Sequence, residues 1–332
     1  MKIFKATAGL MTVAAFSIPF HGNANAGGCA FGWTADPVQF DTVIQYADMP
    51  GKINPTVHVL INGKAAQMLL DTGANINVLW ETSLLDEAPG SDVHRFDAHV
   101  VSAESRTVTV DLADDHGNVL RQEFQLVSNT VLAADGYSGI VSPQAVANDN
   151  VAVIDFEKNC FFISPRFDIR SDNGLDVRRG STISNPYGVM AVPVELDGRK
   201  IPLIVDSGAS VTTILASLVD SKPKGRKSAR SMDMFGAEVP HGEHMRLVDL
   251  IINGKTFKSQ SVIPSPTMNH NGIVAFGYIG MDILRDHVIY HDESRKEFVL
   301  LTRQGAAKGI VGNRELPARD SDLKPSSSAE GS

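Results

Sequence analysis

The sequence predicts an all-β protein made of two homologous lobes, and three observations predict it. Short valine- and isoleucine-rich runs are punctuated by Gly, Asn and Asp, the pattern of strands joined by tight turns. Aromatic residues are sparse at 7%, while hydrophobic residues make up 43% of the 332, enough for two moderate cores or one large one. A block of landmarks also recurs in the same order in each half of the chain.

The first residues read as a sorting signal. Lys2 and Lys5 precede a mostly apolar stretch from Ala6 to Phe20, and Ala24-Asn25-Ala26 supplies the small-x-small pattern of a cleavage site. Residues 1–26 are therefore expected to be a signal peptide cut after Ala26, which makes the protein periplasmic or secreted. The apolar run is too short for a comfortable membrane span, and Pro19 and His21 interrupt it, so no membrane insertion is expected after cleavage. A lipoprotein is the lesser alternative, because Ala26-Gly27-Gly28-Cys29 is a poor lipobox far from the apolar core. The formal net charge is −8, and removing residues 1–26, with two lysines and no acid, leaves −10. That balance argues against nucleic-acid or anionic-membrane partners.

Cys29 and Cys160 are the only cysteines. In an oxidising compartment they either form one disulfide or remain two thiols, and sequence does not decide between these. No CxxC, HExxH or EF-hand pattern is present. His241 and His244 have nothing nearby to complete a zinc set and are read as hairpin residues.

The internal repeat organises the rest. Thr56 to Gly63 leads through an Asn-Gly turn into Met68-Leu69-Leu70-Asp71-Thr72-Gly73-Ala74; Ala191 to Gly198 leads through an Asp-Gly turn into Leu203-Ile204-Val205-Asp206-Ser207-Gly208-Ala209. The two acids lie 135 positions apart. Asn77-Val78-Leu79 and Thr212-Thr213-Ile214 follow at one offset, and short helices are expected at Glu81 to Glu87 and Ala216 to Asp220. Strands at Thr107 to Leu112 and Arg246 to Leu250 turn near Gly117 and Gly254. Gly136-Tyr137-Ser138-Gly139-Ile140 is aligned with Gly277-Tyr278-Ile279-Gly280-Met281. These landmarks divide the chain into an N-terminal segment (27–49), a first lobe (50–165), a linker (166–185), a second lobe (186–303) and a polar, disordered tail (304–332). The basic run from Lys222 to Arg230 reads as a solvated loop, with a docking patch for an acidic partner as the alternative.

A carboxylate ending an apolar strand is costly as mere packing, because an unpaired buried charge is strongly unfavourable. Gly73 and Gly208 permit tight turns around the acids and leave backbone N–H groups accessible. One such turn is a weak signal; two in matching lobes can face each other and share one proton, since adjacent like charges do not both ionise easily.

At these residues the chain resembles the pepsin/retropepsin superfamily of aspartic peptidases, with short, retropepsin-like lobes. The resemblance covers about 55–302 and rests on the two apolar-apolar-Asp-Thr/Ser-Gly-Ala turns and the element Tyr278 to Leu284. It implies two β-barrel-like lobes of the acid protease fold with an active-site cleft between them, Asp71 and Asp206 as the catalytic acids, and Thr72 and Ser207 as hydroxyls linking the turns. Gly73, Ala74, Gly208 and Ala209 complete the turns. Substrate-covering hairpins are expected at Ser102 and Ala103 in the first lobe and at Phe235 and Gly236 in the second. The first-lobe Gly element departs from the pattern, with Val141 standing where the second lobe has Asp282.

The implied activity is hydrolysis of peptide or protein substrates by a monomer whose chemistry needs no metal or organic cofactor. Alanine at 74 and 209 cannot hydrogen-bond an acid as serine would, so the expected pH optimum is weakly acidic. Direct activity after signal removal is favoured, because the span before the first repeat strand is short for a propeptide. A peptide-binding pseudopeptidase and an envelope interaction protein are the alternative readings.

Overall fold

Asn62-Gly63, Asp197-Gly198 and Asn253-Gly254 each hold positive φ at both residues (50° and 76°, 52° and 74°, 48° and 76°). That backbone matches the twist of two paired strands, so each dipeptide closes a hairpin. The computed structural model describes residues 28–303 except 31, 35–36, 49–50, 88–89, 91, 98–101, 129, 170–173, 186–187 and 269–274. The expected signal peptide and C-terminal tail lie outside the described residues.

The described residues are mostly β. The first part forms β1 (Phe40–Asp48), β2 (Ile53–Ile61), β3 (Lys64–Leu70), β4 (Asn77–Leu79), β5 (His94–Asp97), β6 (Ser102–Ala113), β7 (Val119–Val127), β8 (Gly139–Val141), α1 (Pro143–Ala147), β9 (Val151–Asp155) and β10 (Cys160–Ser164). The rest forms β11 (Leu175–Ser181), β12 (Ala191–Leu196), β13 (Arg199–Val205), β14 (Thr213–Leu215), α2 (Ala216–Val219), β15 (Lys224–Lys227), β16 (His244–Ile252) and β17 (Lys255–Ser265). It ends with β18 (Gly277–Ile279), α3 (Met281–Leu284), β19 (Val288–Asp292) and β20 (Glu297–Arg303). No helix among the described residues is long and apolar enough to cross a membrane.

The same pairing scheme occurs twice. β2 is antiparallel to β3 and β6, β3 is parallel to β8, and β4 is parallel to β7 and antiparallel to β8. β12, β13, β16, β18, β14 and β17 repeat those five pairings in the same senses. Strand order β11-β20-β19-β9-β10-β1 then joins the two halves, β9 running antiparallel to β19.

Alternation gives that shared platform two apolar faces. Ala152, Ile154, Phe161, Ile163, Ile289 and Leu300 point into the main core. Val153, Phe162, Tyr290 and Val299 point the other way, where Ala30, Trp33, Phe167 and Ile169 cover them. Cys29 and Cys160 are joined by a disulfide on this covered face, with Cα atoms 5.5 Å apart across 131 residues of sequence. Arg303 clamps the halves, donating to Asp155 Oδ2 at 2.5 Å and to Glu157 Oε2 at 2.9 Å.

Several expectations change. The segment 27–49 contains β1, which belongs to both the platform and the first half through its pairs with β10 and β2. The segment 166–185 is no bare linker: β11 pairs with β20 along its whole length, because Leu175 buries its side chain on the platform. The basic run contains edge strand β15, whose Lys224 and Lys227 pair with Arg246 and His244 of β16. Glu81 to Glu87 supplies only a 3-10 turn at Thr82–Leu84, in which Leu84 alone is buried. One apolar anchor does not support a longer helix.

Candidate active site

Each acid sits just beyond a strand whose partner fixes its backbone. Asp71 N donates to Val141 O (3.0 Å) and Asp206 N donates to Ile279 O (2.9 Å), the equivalent atoms of β8 and β18. Each carboxylate is then turned back onto its own loop. Asp71 Oδ1 accepts from Gly73 N at 2.8 Å, and Asp206 Oδ1 accepts from Ala209 N at 3.0 Å.

The turns lock to one another. Thr72 N donates to Ser207 Oγ (3.0 Å), Ser207 N donates to Thr72 Oγ1 (2.9 Å), and Ser207 Oγ donates to Leu70 O (2.6 Å). Both hydroxyl residues are fully buried, so these bonds form away from competing water. The glycines complete the reciprocity. A Cβ on Gly73 would lie 2.7 Å from Asp206 Cγ, and one on Gly208 would lie 2.9 Å from Asp71 Oδ2. Each acid thus packs on the backbone of the opposite turn, which no larger residue permits.

Burial raises the pKa of Asp71 against the N–H groups of Gly73 and Ala74. Asp206 is raised well above its ordinary value, first by burial and then by the charge of Asp71. The pair therefore ionises in two steps, with Asp206 holding its proton longer.

The strand register corrects the sequence alignment of the Gly elements. Ile140 pairs with Leu69 and Val78, and Tyr278 pairs with Ile204 and Thr213. Gly139 therefore corresponds to Gly277, and Gln144, not Val141, stands in the place of Asp282. The alignment on Gly136 matched the wrong glycine because Gly136-Tyr137 repeats the dipeptide Gly277-Tyr278 three residues ahead of the true counterpart Gly139.

This register explains how each turn is held. In the second half, Met281 N donates to Ala209 O at 2.8 Å and Asp282 N to Ser210 O at 3.2 Å. The residue equivalent to Met281 is Pro143, which has no N–H to give. Ser142 Oγ (2.7 Å) and Gln144 Nε2 (2.5 Å) donate to Ala74 O instead, and Gln144 Nε2 also reaches Thr72 O at 2.9 Å. Sequence reasoning missed Ser142 and Gln144; the proline was the available signal. Asp282 accepts from Thr212 N (2.9 Å), Thr212 Oγ1 (2.8 Å) and Gln260 Nε2 (2.8 Å), while burial lifts its pKa to about 6.

A cleft of about 1220 Å³ lies between the halves, with Asp71 and Asp206 among its lining residues. The second-half loop expected to carry a flap crosses to the first half. Met234 O accepts from Thr130 Oγ1 (2.7 Å) and Val131 N (3.3 Å), and Phe235 sets its ring edge to Phe96 at 6.2 Å. Gly236 has φ +81°, and a Cβ there would lie 2.8 Å from Val131 Cγ1. Ser102 and Ala103, expected as the first-half flap, begin β6 and pair with Asp97 and Phe96 of β5. Residues 98–101, which separate β5 from β6 in sequence, lie outside the described residues.

His241 donates from Nδ1 to Gly242 O at 3.0 Å, and His244 starts β16. Neither belongs to a cluster of metal-binding side chains among the described residues. The chain matches no protein-family model, and a search of curated proteins finds no similar sequence.

Proposed function

We propose that the protein is an aspartic endopeptidase, periplasmic or secreted, whose two lobes adopt the acid protease arrangement and whose single chain supplies the whole catalytic pair. The observation that carries this reading is the reciprocal fit of the two acid turns, each carboxylate packed on the opposite glycine. Elements that only positioned a loop would have no need of two buried carboxylates raised against each other.

In the proposed mechanism a water between the acids attacks the peptide carbonyl carbon. Asp71, the more readily ionised of the two, takes a proton from the water while Asp206 gives its proton to the carbonyl oxygen. A gem-diol forms. Asp71 then returns its proton to the amide nitrogen, Asp206 recovers one from a gem-diol hydroxyl, and the C–N bond breaks. Proton count and charge close over the cycle. Peptide-bond hydrolysis by two carboxylates sharing a proton has precedent as general chemistry.

The test is cleavage of a mixed peptide library by protein lacking residues 1–26. Asp71→Asn and Asp206→Asn are each expected to lower turnover by at least about 10³-fold, in the range of lost acid–base catalysis. The pH–rate profile of the parent is expected to be a bell in the weakly acidic range, its acidic limb set by Asp71 and its alkaline limb by Asp206. A maximum near about pH 2, where the lower pKa of a pepsin-like pair falls, contradicts the assignment. Peptide retention without cleavage would replace it with a binding role.

A further inference from the structure

Charge is distributed unevenly around the cleft. From Ser221 to Met232 the chain carries Lys222, Lys224, Arg226, Lys227 and Arg230 and no acid, in a protein whose formal net charge is −8. The strand within this run, β15, is the last of its sheet, so its outer edge meets no further strand among the described residues. Lys224, Arg226, Lys227 and Arg230 are all exposed.

Cations beside the strip are matched by acids at close range, whereas those of the strip are not. Lys222 Nζ lies 2.6 Å from Asp197 Oδ1, and Arg246 lies 3.6 Å from Asp220 Oδ1. Lys224 and Lys227 form no ion pair among the described residues. Arg226 donates from Nε to Met245 Sδ at 3.3 Å, a contact that leaves its charge unpaired. Arg230 meets Glu238 at 3.8 Å with its side chain 83% exposed. Exposed pairs of that kind contribute little, so the charge of Arg230 stays available.

Lysines and a bulge on an edge strand also keep another sheet from pairing there, which accounts for Lys224 and Lys227. That role does not extend to Arg230. The chain leaves β15 at Lys227, and Ala229, Arg230, Ser231 and Met232 then line the cleft. The strip therefore runs into the cleft wall, over at most about 20 Å of chain from Lys224 to Arg230.

The first half has no counterpart. β5 pairs with β6 as β15 pairs with β16, yet Arg95 stands between Asp92 and Asp97 in sequence and pairs in register with Glu104. The excess of cations thus lies on one side of the cleft.

We propose, resting on the peptidase reading, that the strip from Lys224 to Arg230 binds an acidic segment of the substrate. The substrate class is then a peptide with Asp or Glu clustered on one side of the cleaved bond, in a stretch of about six residues that matches the strip in length. The negative charge of the whole protein disfavours such a peptide elsewhere, so the strip sets which end of it lies on the second half. Continuity with the cleft favours a peptide over a nucleic acid or an anionic lipid surface.

The experiment uses peptides with one cleavable core and a run of Glu at the N-terminal end, at the C-terminal end, or replaced by Gln. At low ionic strength, Glu at one end only is expected to raise kcat/KM by about tenfold over the Gln peptide. The gain is expected to vanish near about 0.5 M salt, where exposed charges are screened. The combined variant Lys224→Gln, Arg226→Gln, Lys227→Gln loses the gain while its rate on the Gln peptide stays within about twofold, as exposed substitutions allow. Equal gains from both ends, no gain, or a gain that survives in the variant overturns the assignment. Should the parent cleave nothing, the peptidase reading fails, and fluorescence anisotropy of the same peptides decides the strip separately. Tighter binding of a Glu-tailed peptide that the variant loses supports it; equal binding by parent and variant overturns it. Anionic phospholipid vesicles that hold the parent but not the variant, with no preference among the peptides, overturn it in favour of a lipid surface.

Discussion

At the scale of single residues, His287 and Asp282 give the second half two opposing pH dependences. His287 donates from Nδ1 to Ile283 O and accepts at Nε2 from Lys255 Nζ, both at 2.7 Å, an arrangement only the neutral ring satisfies. Burial and Lys255 lower its pKa to about 4 from 6.5. Between those values the unfolded chain binds more protons, so this group adds stability as pH rises. Asp282 behaves oppositely. Its pKa rises from 3.8 to about 6, the folded state binds more protons in that window, and stability is lost as pH rises through it. Each contribution is about 3 kcal/mol at 1.36 kcal/mol per unit, so the two largely offset. Relative to the parent, Asp282→Asn is expected to gain stability between pH 4 and 6, and His287→Asn to lose its rise over pH 4 to 6.5. Urea midpoints measured across that range check both signs; parallel curves for parent and variants contradict them.

At the scale of elements, the crossing loop around Phe235 and the paired Gly elements show what local sequence leaves open. The loop is shaped from within, Asp233 Oδ1 accepting from Phe235 N (3.0 Å) and Ala237 N (2.9 Å). Its position over the cleft depends on the first half, through Thr130 and Val131. Thr130→Val removes the hydroxyl donor to Met234 O while keeping the side-chain volume. Amide exchange in 232–238 is expected to speed up by about fivefold or more, since one lost bond of roughly 1 kcal/mol shifts local opening by that factor. Unchanged exchange would mean that the Val131 N–Met234 O bond and the Phe235–Phe96 contact hold the loop without Thr130. The Gly elements carry a different lesson. Both were visible as glycine-containing apolar strands, yet their register came only from β3 and β13 beside them.

At the scale of the whole molecule, the platform β11-β20-β19-β9-β10-β1 holds the two halves in one frame. The Cys29–Cys160 disulfide ties the N-terminal segment to its covered face, and neither cysteine lines the cleft. Replacing both by serine is expected to lower unfolding free energy by about 2–4 kcal/mol, the usual contribution of a native disulfide closing a long loop. Peptide kcat/KM is expected to stay within about twofold. Chemical unfolding and peptide kinetics on the same preparation check both, and an altered cleavage preference would show that the platform transmits strain to the acid turns.

What the sequence determined by itself was local and repeated. Asn-Gly and Asp-Gly pairs dictate hairpins because few residues accept positive φ, and apolar alternation dictates strands. The twin Asp-Thr/Ser-Gly-Ala turns named Asp71 and Asp206 because a charge at the end of an apolar strand needs a reason. Tertiary structure decided everything that depends on two distant segments meeting. It set the contact of each acid with the opposite glycine and the substitution of Ser142 and Gln144 for an N–H that Pro143 lacks. Loops of unequal length shift sequence offsets without shifting strand pairing, so the correspondence between the halves is a property of packing and not of spacing.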